Sequence, residues 1–423
     1  MTITPSLSAH GDPFEIWPIA VLNDLVYINP ESRDPTLDPQ DKFSYIDIDS
    51  VENGTGLIKG VKIILGKDAP SRARRIVRAD DVIMSEVRPY LKAFAIVPKK
   101  LDNQICSTGF AVLRSKGDIE PEFLLNVLFS NEVIEQCNRM MVGAQYPALN
   151  DSQVKKIHIP LPPLPEQRQI ATILSTVDNA LQRSQQAITE TERLKVGVMQ
   201  ELMTKGIGHT KFKEDPDVGR VPKEWNVNSL EHISERITVG IVVKPADHYV
   251  AQGIPAFRSF NILSDKLNTN DLVFISKIEN DSIFLKSKIF YGDILVVRTG
   301  TPGTACVVPK EFDGCNCIDL IIISPKKIAV IAEYLSRYIN SQIVKSQIFN
   351  LKSGLAQQHI NVNEIKKVKV SIPPLTEQQQ IIAILTKIDS KLLLQRQRTS
   401  HYERLKQGLM NDLLTGKRRV TVT

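Results

Sequence analysis

The sequence predicts an α+β protein: two mixed α/β units separated by two long helices that form an antiparallel coiled coil, the whole a pseudo-twofold internal repeat. Three observations predict it. Pro162-Pro-Leu-Pro-Glu-Gln167 recurs as Pro373-Pro-Leu-Thr-Glu-Gln378, an offset of 211 residues that then holds without a gap for about 40 residues. Both copies of that block carry apolar residues at the 4-3 spacing of a helix seam. The stretches before them share little beyond short strand-like runs.

The repeat is well matched in the helices and weakly matched upstream. Glu192-Arg-Leu-Lys195 answers Glu403-Arg-Leu-Lys406, and Leu202-Met-Thr204 answers Leu413-Leu-Thr415. Farther upstream only scattered positions agree, such as Asn150 with Asn361, Val97-Pro98 with Val308-Pro309, and Trp17 with Trp225 at an offset of 208. The plan is thus a variable unit followed by a repeated helix, twice over. The boundaries expected are 1–157 for the first unit, 158–206 for the central helical region, 207–221 for a linker, 222–368 for the second unit, 369–416 for the C-terminal helical region and 417–423 for a tail.

The first unit offers strand-like runs at Lys62–Leu65, Asp81–Met84, Phe94–Val97 and Phe110–Leu113. A helix is expected from Pro121 to Cys137. In the first repeat helix, the prolines from Pro160 to Pro165 terminate a strand and stiffen the helix entry. Glu166 stands at the positive end of the helix dipole. The seam then runs through Ile170, Leu174, Val177, Leu181, Ser184, Ile188, Thr191, Lys195, Val198 and Leu202. Lys205 to Pro222, with its glycines, prolines and charges, reads as a linker. The second unit repeats the plan, with runs at Asp271–Ile275, Asp293–Val297, Ala305–Val308 and Leu320–Ile323 and a helix from Ile328 to Asn350. Its seam runs through Ile381, Leu385, Ile388, Leu392, Gln395, Thr399, Tyr402, Lys406, Leu409 and Leu413. Each helix should span about 37 residues, about 55 Å at 1.5 Å per residue. Glycines follow as stops, Gly206 and Gly208 in the first copy and Gly416 in the second. A pair of that length between two units would act as a ruler.

Composition narrows the function classes. At 42% apolar and 24% charged, the 423 residues suit globular domains with buried cores. No run of 18 uncharged apolar residues and no signal-peptide start occurs, so a membrane-spanning or secreted protein is not expected and the expected compartment is cytoplasmic. Cys106, Cys137, Cys306, Cys315 and Cys317 are an odd set without a C-x-x-C pair, against a disulfide framework or a four-cysteine zinc site. The formal net charge of +6 permits an acidic partner without demanding one. Catalytic signatures are missing. Gly300-Thr-Pro-Gly303 lacks the lysine and length of a phosphate loop, and no H-E-x-x-H or G-x-S-x-G occurs. Asn29-Pro-Glu-Ser32 is not the Asn/Asp-Pro-Pro-aromatic loop of an adenine methyltransferase. We expect no catalytic residue, no metal site and no cofactor in this chain.

Binding residues are more legible. The first unit carries Arg72, Arg74, Arg75 and Arg78 in one stretch, followed by Arg88, Tyr90 and Lys92. Arginine can fork onto guanine edges or onto phosphate, so a dense stretch between strands suits double-stranded DNA. The second unit has Lys286, Lys288 and then Arg298 after its strand. Gln145 and Tyr146 in the first unit, and Gln357, Gln358 and His359 in the second, lie at equivalent places where they could bond a base or cap a turn. Two other classes remain open at this level: a self-contained DNA enzyme, and a coiled-coil interaction scaffold without DNA specificity.

Two divergent α/β units alternating with two near-identical Pro-Pro-Leu-x-Glu-Gln helices resemble the specificity subunit of type I restriction–modification systems. The stretch Leu202-Met-Thr-Lys-Gly-Ile-Gly-His-Thr-Lys-Phe212 and the entry Val218-Gly-Arg-Val-Pro-Lys-Glu-Trp225 resemble that family's central region. Phe14-Glu-Ile-Trp17 departs from it, lacking the Gly-Arg-Val-Pro that leads to Trp225. The resemblance implies that each variable unit is a target-recognition domain reading one half of a split DNA target. It implies that the paired helices set the gap and dock two methyltransferase (M) subunits, with restriction (R) subunits joining them. S-adenosylmethionine, ATP and Mg²⁺ would then belong to those partner subunits. Because the two units differ, the target should be two unlike blocks rather than a palindrome.

Overall fold

A computed structural model of the chain describes residues 17–142, 147–352 and 359–421. They divide into two compact units. One combines the described parts of Met1–Gln185 and Gln397–Thr423, and the other is Gln186–Arg396. With a repeat offset of 211, residues from 397 onward stand to the first unit as residues from 186 onward stand to the second. The first unit is therefore a circular permutation of the second, and each long helix contributes one half to each unit.

Both units are built from the same parts. In the first, Val26–Ile28, Phe110–Ser115, Val82–Ser85 and Phe94–Ile96 pair in that order as an antiparallel sheet. A second sheet has the order Lys62–Leu65, Lys42–Ile46, Gln104–Ser107, Ala73–Val77, with the middle pair parallel. The second unit repeats this with Ser234–Val239, Leu320–Pro325, Ile294–Val297 and Ala305–Val307. Its other sheet has Tyr249–Val250, Val273–Ile275, Ile254–Phe257 and Asn316–Cys317, again with one parallel pair, here the last two strands at the sheet edge rather than the middle pair. The four strand-like runs expected in each unit all lie on strands, but the parallel pairs and the strand Ala73–Val77 were not foreseen. Short two- to five-residue strands with mixed patterning give too little periodicity to read.

Three further differences have local causes. The expected helix from Pro121 to Cys137 is two helices, Pro121–Leu128 and Asn131–Met140, because Ser130 caps the second by accepting from Val133 N. The expected helix from Ile328 to Asn350 likewise divides into Ala332–Ile339 and Gln342–Lys352. The stretch read as a linker forms an antiparallel hairpin, Phe212–Asp215 with Gly219–Pro222, and Arg220 lies over the Phe212 ring.

The strand preceding each long helix pairs with the start of its own unit: His158–Pro160 with Ile19–Val21, and Lys369–Ile372 with Asn226–Ser229. The prolines then end the ladder and the helices begin, Leu164–Lys205 with 42 residues and Leu375–Leu413 with 39. Both exceed the expected length by part of a turn or more. Every seam residue named above is buried or half-buried. Ile170, Leu174 and Leu413 join the core of the first unit, and Leu202, Ile381 and Leu385 that of the second. Within the first unit Asp178 meets Lys406 at 2.5 Å and the Ser184 hydroxyl meets that of Thr399 at 2.8 Å. Within the second, Lys195 meets Asp389 at 2.6 Å and Glu192 meets Arg396 at 2.7 Å. In each case the partner number falls as the residue number rises, so the helix segments run antiparallel.

The Glu-Gln of the repeated motif has a structural reading. Gln167 donates to Asp118 O and Pro162 O and accepts from Glu120 N. Gln378 donates to Ala329 O and Pro373 O and accepts from Ile331 N. Glu166 accepts from Trp17 Nε1, Arg419 Nε and Val420 N. Glu377 accepts from Trp225 Nε1 and Ile207 N and meets His209 Nε2. One carboxylate thus ties the start of each unit to the chain leaving the neighbouring helix, which is why the motif recurs where the sheets diverge.

Candidate nucleic-acid interface

The arginine stretch of the first unit lies on and beside the edge strand Ala73–Val77, where alternation sends neighbouring side chains to opposite faces. Arg75 turns inward. Its Nη1 donates to Glu86 Oε2 at 3.0 Å and to the Phe110 carbonyl, and its Nη2 to Asp151 Oδ1 at 3.2 Å. Arg78 pairs with Glu31 at 2.7 Å, and Arg74 with Asp34 at 3.4 Å. Arg72 is exposed. Three of the four arginines thus already have acidic partners within the unit.

Arg114, which the sequence reading passed over, joins this network. It contacts Asp81 at 2.8 Å and shares Glu31 with Arg78. Hydrogen bonds from Arg78 and Arg114 hold the Glu31 carboxyl down at about 2. The available signal was a lone arginine closing an otherwise apolar strand, opposite an aspartate that opens another.

Arg88 and Lys92 flank the turn Pro89–Leu91, both in the left-handed region with φ of 48° and 56°. Arg88 and Tyr90 are exposed, whereas Lys92 Nζ reaches the Phe129 carbonyl at 2.7 Å. Burial and the nearby Lys406 lower the Lys92 ammonium pKa. Arg88 N donates to Pro147 O, and Val87 bridges to Ala148. The exposed Arg88–Tyr90 turn therefore sits at the root of the stretch carrying Gln145 and Tyr146, which themselves lie outside the described residues.

The second unit has the same relationship with different residues. Arg298 follows the strand Ile294–Val297, but its side chain is only 11% exposed. It binds Asp319 at 2.6 Å and Ile360 O at 3.2 Å and contacts His359, whose Nδ1 meets Thr299 Oγ1 at 2.9 Å. Arg298 and His359 thus fix the root of the stretch that carries Gln357 and Gln358, both outside the described residues. The structure does not bring Lys286 and Lys288 to that place: Lys288 pairs with Asp281 at 2.5 Å beside the second sheet, and Lys286 is exposed on the turn before it. Arg258 and Phe260, not singled out from sequence, border a shallow depression with Asp271 and Asp319. Phe260 is 60% exposed. Their signal was a basic-x-aromatic step directly after the strand Ile254–Phe257.

Glu86 gives the first unit a pH dependence. Burial pushes its carboxyl up to about 7, with the Arg75 charge opposing and Asp151 adding to the rise. A carboxyl raised in the folded state favours folding most below its ordinary value of 4.5, and that contribution is lost as pH rises through about 7. Glu86→Gln should therefore flatten the fall in melting temperature between about pH 5 and about pH 8 and leave the variant the more stable protein at the upper end. Parallel melting curves with an unchanged pH slope would contradict this.

Among the described residues there is no cluster of three or more His, Cys, Asp or Glu fit to hold a metal, and no helix is long and apolar enough to cross a membrane. Cys106, Cys137, Cys306, Cys315 and Cys317 are all free and buried. Burial raises the Cys106, Cys137 and Cys306 thiols to about 12.

Two pairs of four-stranded sheets, each pair joined by the same carboxylate-and-glutamine tie to a repeated helix, define a duplicated α+β module. Residues 19–193 and 222–403 match the Type I restriction modification DNA specificity domain, and the chain belongs to that family. Among relatives, it is 26% identical over 352 residues to the putative type I restriction enzyme MjaX specificity subunit of Methanocaldococcus jannaschii, covering 80% of this chain and 79% of the relative. It is 28% identical over 288 residues to the MjaVIII specificity subunit of the same organism, covering 66% of each. A chain from a structural study of complex assembly and conformational transition in a type I R-M system superposes with a TM-score of 0.65 at 27% identity, over 96% of this chain and 99% of that one. The type I restriction–modification S subunit from M. genitalium shares the fold at 14% identity, with a TM-score of 0.55 over 99% and 100% of the two chains.

Proposed function

We propose that this chain is the DNA sequence-specificity subunit of a type I restriction–modification complex. Each unit binds one half of a bipartite, asymmetric target in double-stranded DNA, and the paired helices set the separation of the halves and dock two methyltransferase subunits. Restriction subunits complete the assembly, which works in the cytoplasm. The chain itself is non-catalytic; S-adenosylmethionine, ATP and Mg²⁺ act in the partner subunits. The observation that carries this reading is the contrast between parts. The Glu-Gln ties and the interhelical Lys–Asp bridges are the same in both units, while the turns and loops around Arg88 and Arg298 differ. A shared frame with unlike tips is what two different half-sites require.

Exposed basic groups such as Arg72, Arg88 and Lys286 suit phosphate contacts, so affinity should fall steeply with salt. The test is methyl transfer. The purified chain alone should transfer no methyl group to DNA, and the complex with its methyltransferase partner should modify adenine only in duplexes that carry both blocks. Modification of duplexes carrying a single block, or transfer by the chain alone, would refute the proposal.

A further inference from the structure

Two equivalent clusters in the two units are not alike. In the second unit Arg337, on the helix Ala332–Ile339, is 8% exposed. Its Nη1 lies 2.8 Å from Asp389 Oδ2 on the second long helix and 3.9 Å from Asp265 Oδ2, and its Nη2 donates to Thr386 Oγ1 at 3.3 Å. Asp265, in a left-handed turn with φ of 58°, accepts from Ser336 Oγ and Asn340 Nδ2 at 2.9 Å each. Asp389 also receives Lys195 from the first long helix. Burial raises the Asp265 carboxyl, whereas at Asp389 the bonds from Lys195 and Arg337 outweigh burial and lower it. One chain of charges and hydrogen bonds thus runs from the variable part of this unit into both helix segments that carry it.

In the first unit Gly56, Leu125, Asn126 and Phe129 stand in place of Asp265, Ser336, Arg337 and Asn340. The three helix positions are 211 apart, and Gly56 bridges Ala95 on the strand equivalent to the one where Asp265 N bonds Ala305 O. All four members change together, while the interhelical pair persists as Asp178 with Lys406. Asn126 Nδ2 turns back to the Glu122 carbonyl in its own helix. A groove of about 590 Å³ opens there, bordered by Gly54, Phe129, Asp178 and Lys406.

We propose that Arg337 is a positioning residue that fixes the second recognition unit on its helix pair and thereby sets how sharply the spacing between half-sites is discriminated. The first unit lacks this brace and is seated on its helices without it. The inference rests on the bipartite-recognition reading. Physically, a buried guanidinium between two carboxylates tolerates little displacement, because moving it leaves a charge uncompensated.

The test uses the complex with its methyltransferase partner and a duplex library in which the two selected blocks are separated by every length near the preferred one. Arg337→Met keeps the aliphatic stem and removes the charge. It should still select both blocks but enrich spacings one base pair off the optimum by about tenfold over the wild type. Arg337→Lys should return most of the discrimination. In the first unit, Gly56→Asp with Leu125→Ser and Asn126→Arg should lower off-optimum enrichment; a Cβ on Gly56 would stand 2.9 Å from Leu125 Cδ2, which serine clears, and Asp265 shows that aspartate accepts this turn. A folded R337M complex with wild-type spacing discrimination overturns the proposal, as does loss of one block with the spacing profile unchanged. Should R337M fail to fold, an unaltered spacing profile in the triple variant overturns it. If the wild type selects no pair of blocks, the bipartite reading itself fails, which is a distinct result.

Discussion

Glu377→Ala is expected to destabilise the second unit by about 2–4 kcal/mol. The carboxylate is buried and gathers three groups: Trp225 Nε1 at 3.0 Å, Ile207 N at 2.9 Å and His209 Nε2 at 3.0 Å. Alanine removes the acceptor without replacing it, so the buried Trp225 indole N–H is left unpaired and the Ile207 N–H loses its partner. The site cannot relax easily around the loss. Gly206 has φ of 62°, and a Cβ there would stand 2.4 Å from Glu377 Oε1 and 2.6 Å from the Trp225 ring, so the chain is threaded tightly past the carboxylate. The two tryptophans fall one to each unit, which supplies the measurement. In a Trp17→Phe background, the midpoint of Trp225 fluorescence in chemical unfolding should move to lower denaturant. A midpoint shift equivalent to less than about 0.5 kcal/mol would show that the tie is incidental.

Inserting seven residues into both long helices, after Gln185 and after Arg396, is expected to lengthen the gap between the two DNA blocks by about three base pairs. Seven residues are two helical turns in a coiled-coil seam, so the seam register is kept on both sides of each insertion. The added rise is about 10.5 Å, against 3.4 Å per base pair of DNA. The insertion points fall between the Ser184–Thr399 contact and the Glu192–Arg396 pair, and neither unit's core is touched. Sequencing of DNA selected by the complex gives the gap directly. An unchanged gap, with both blocks still selected, would mean that the helices do not set the spacing.

The helical half of this fold was legible in the sequence, and the sheet half only in outline. The 4-3 spacing from Ile170 to Leu202 and from Ile381 to Leu413 runs for many turns, and the two copies corroborate each other. The Pro-Pro-Leu-x-Glu-Gln motif was visible as a repeat, but its meaning lay in partners about 150 residues away, Trp17 for Glu166 and Trp225 for Glu377. Nothing local in the sequence announces such pairings. The short strands gave ambiguous patterns: residues 73–78 read as a basic stretch, since the partners of Arg74, Arg75 and Arg78, namely Asp34, Glu86 and Glu31, lie elsewhere in the sequence. For the candidate interface the same holds. Arg298 stood out as a basic residue after a strand, whereas its pairing with Asp319, more than 20 residues on, had no local signal.

The most direct measurement is selection of randomised duplex DNA by the chain co-purified with its methyltransferase partner. Two units of one plan but unlike surface residues should yield a motif of two unlike blocks at a single fixed separation. A palindromic motif, or a single contiguous block, would contradict the account at its centre, because neither needs two different units joined through a helix pair.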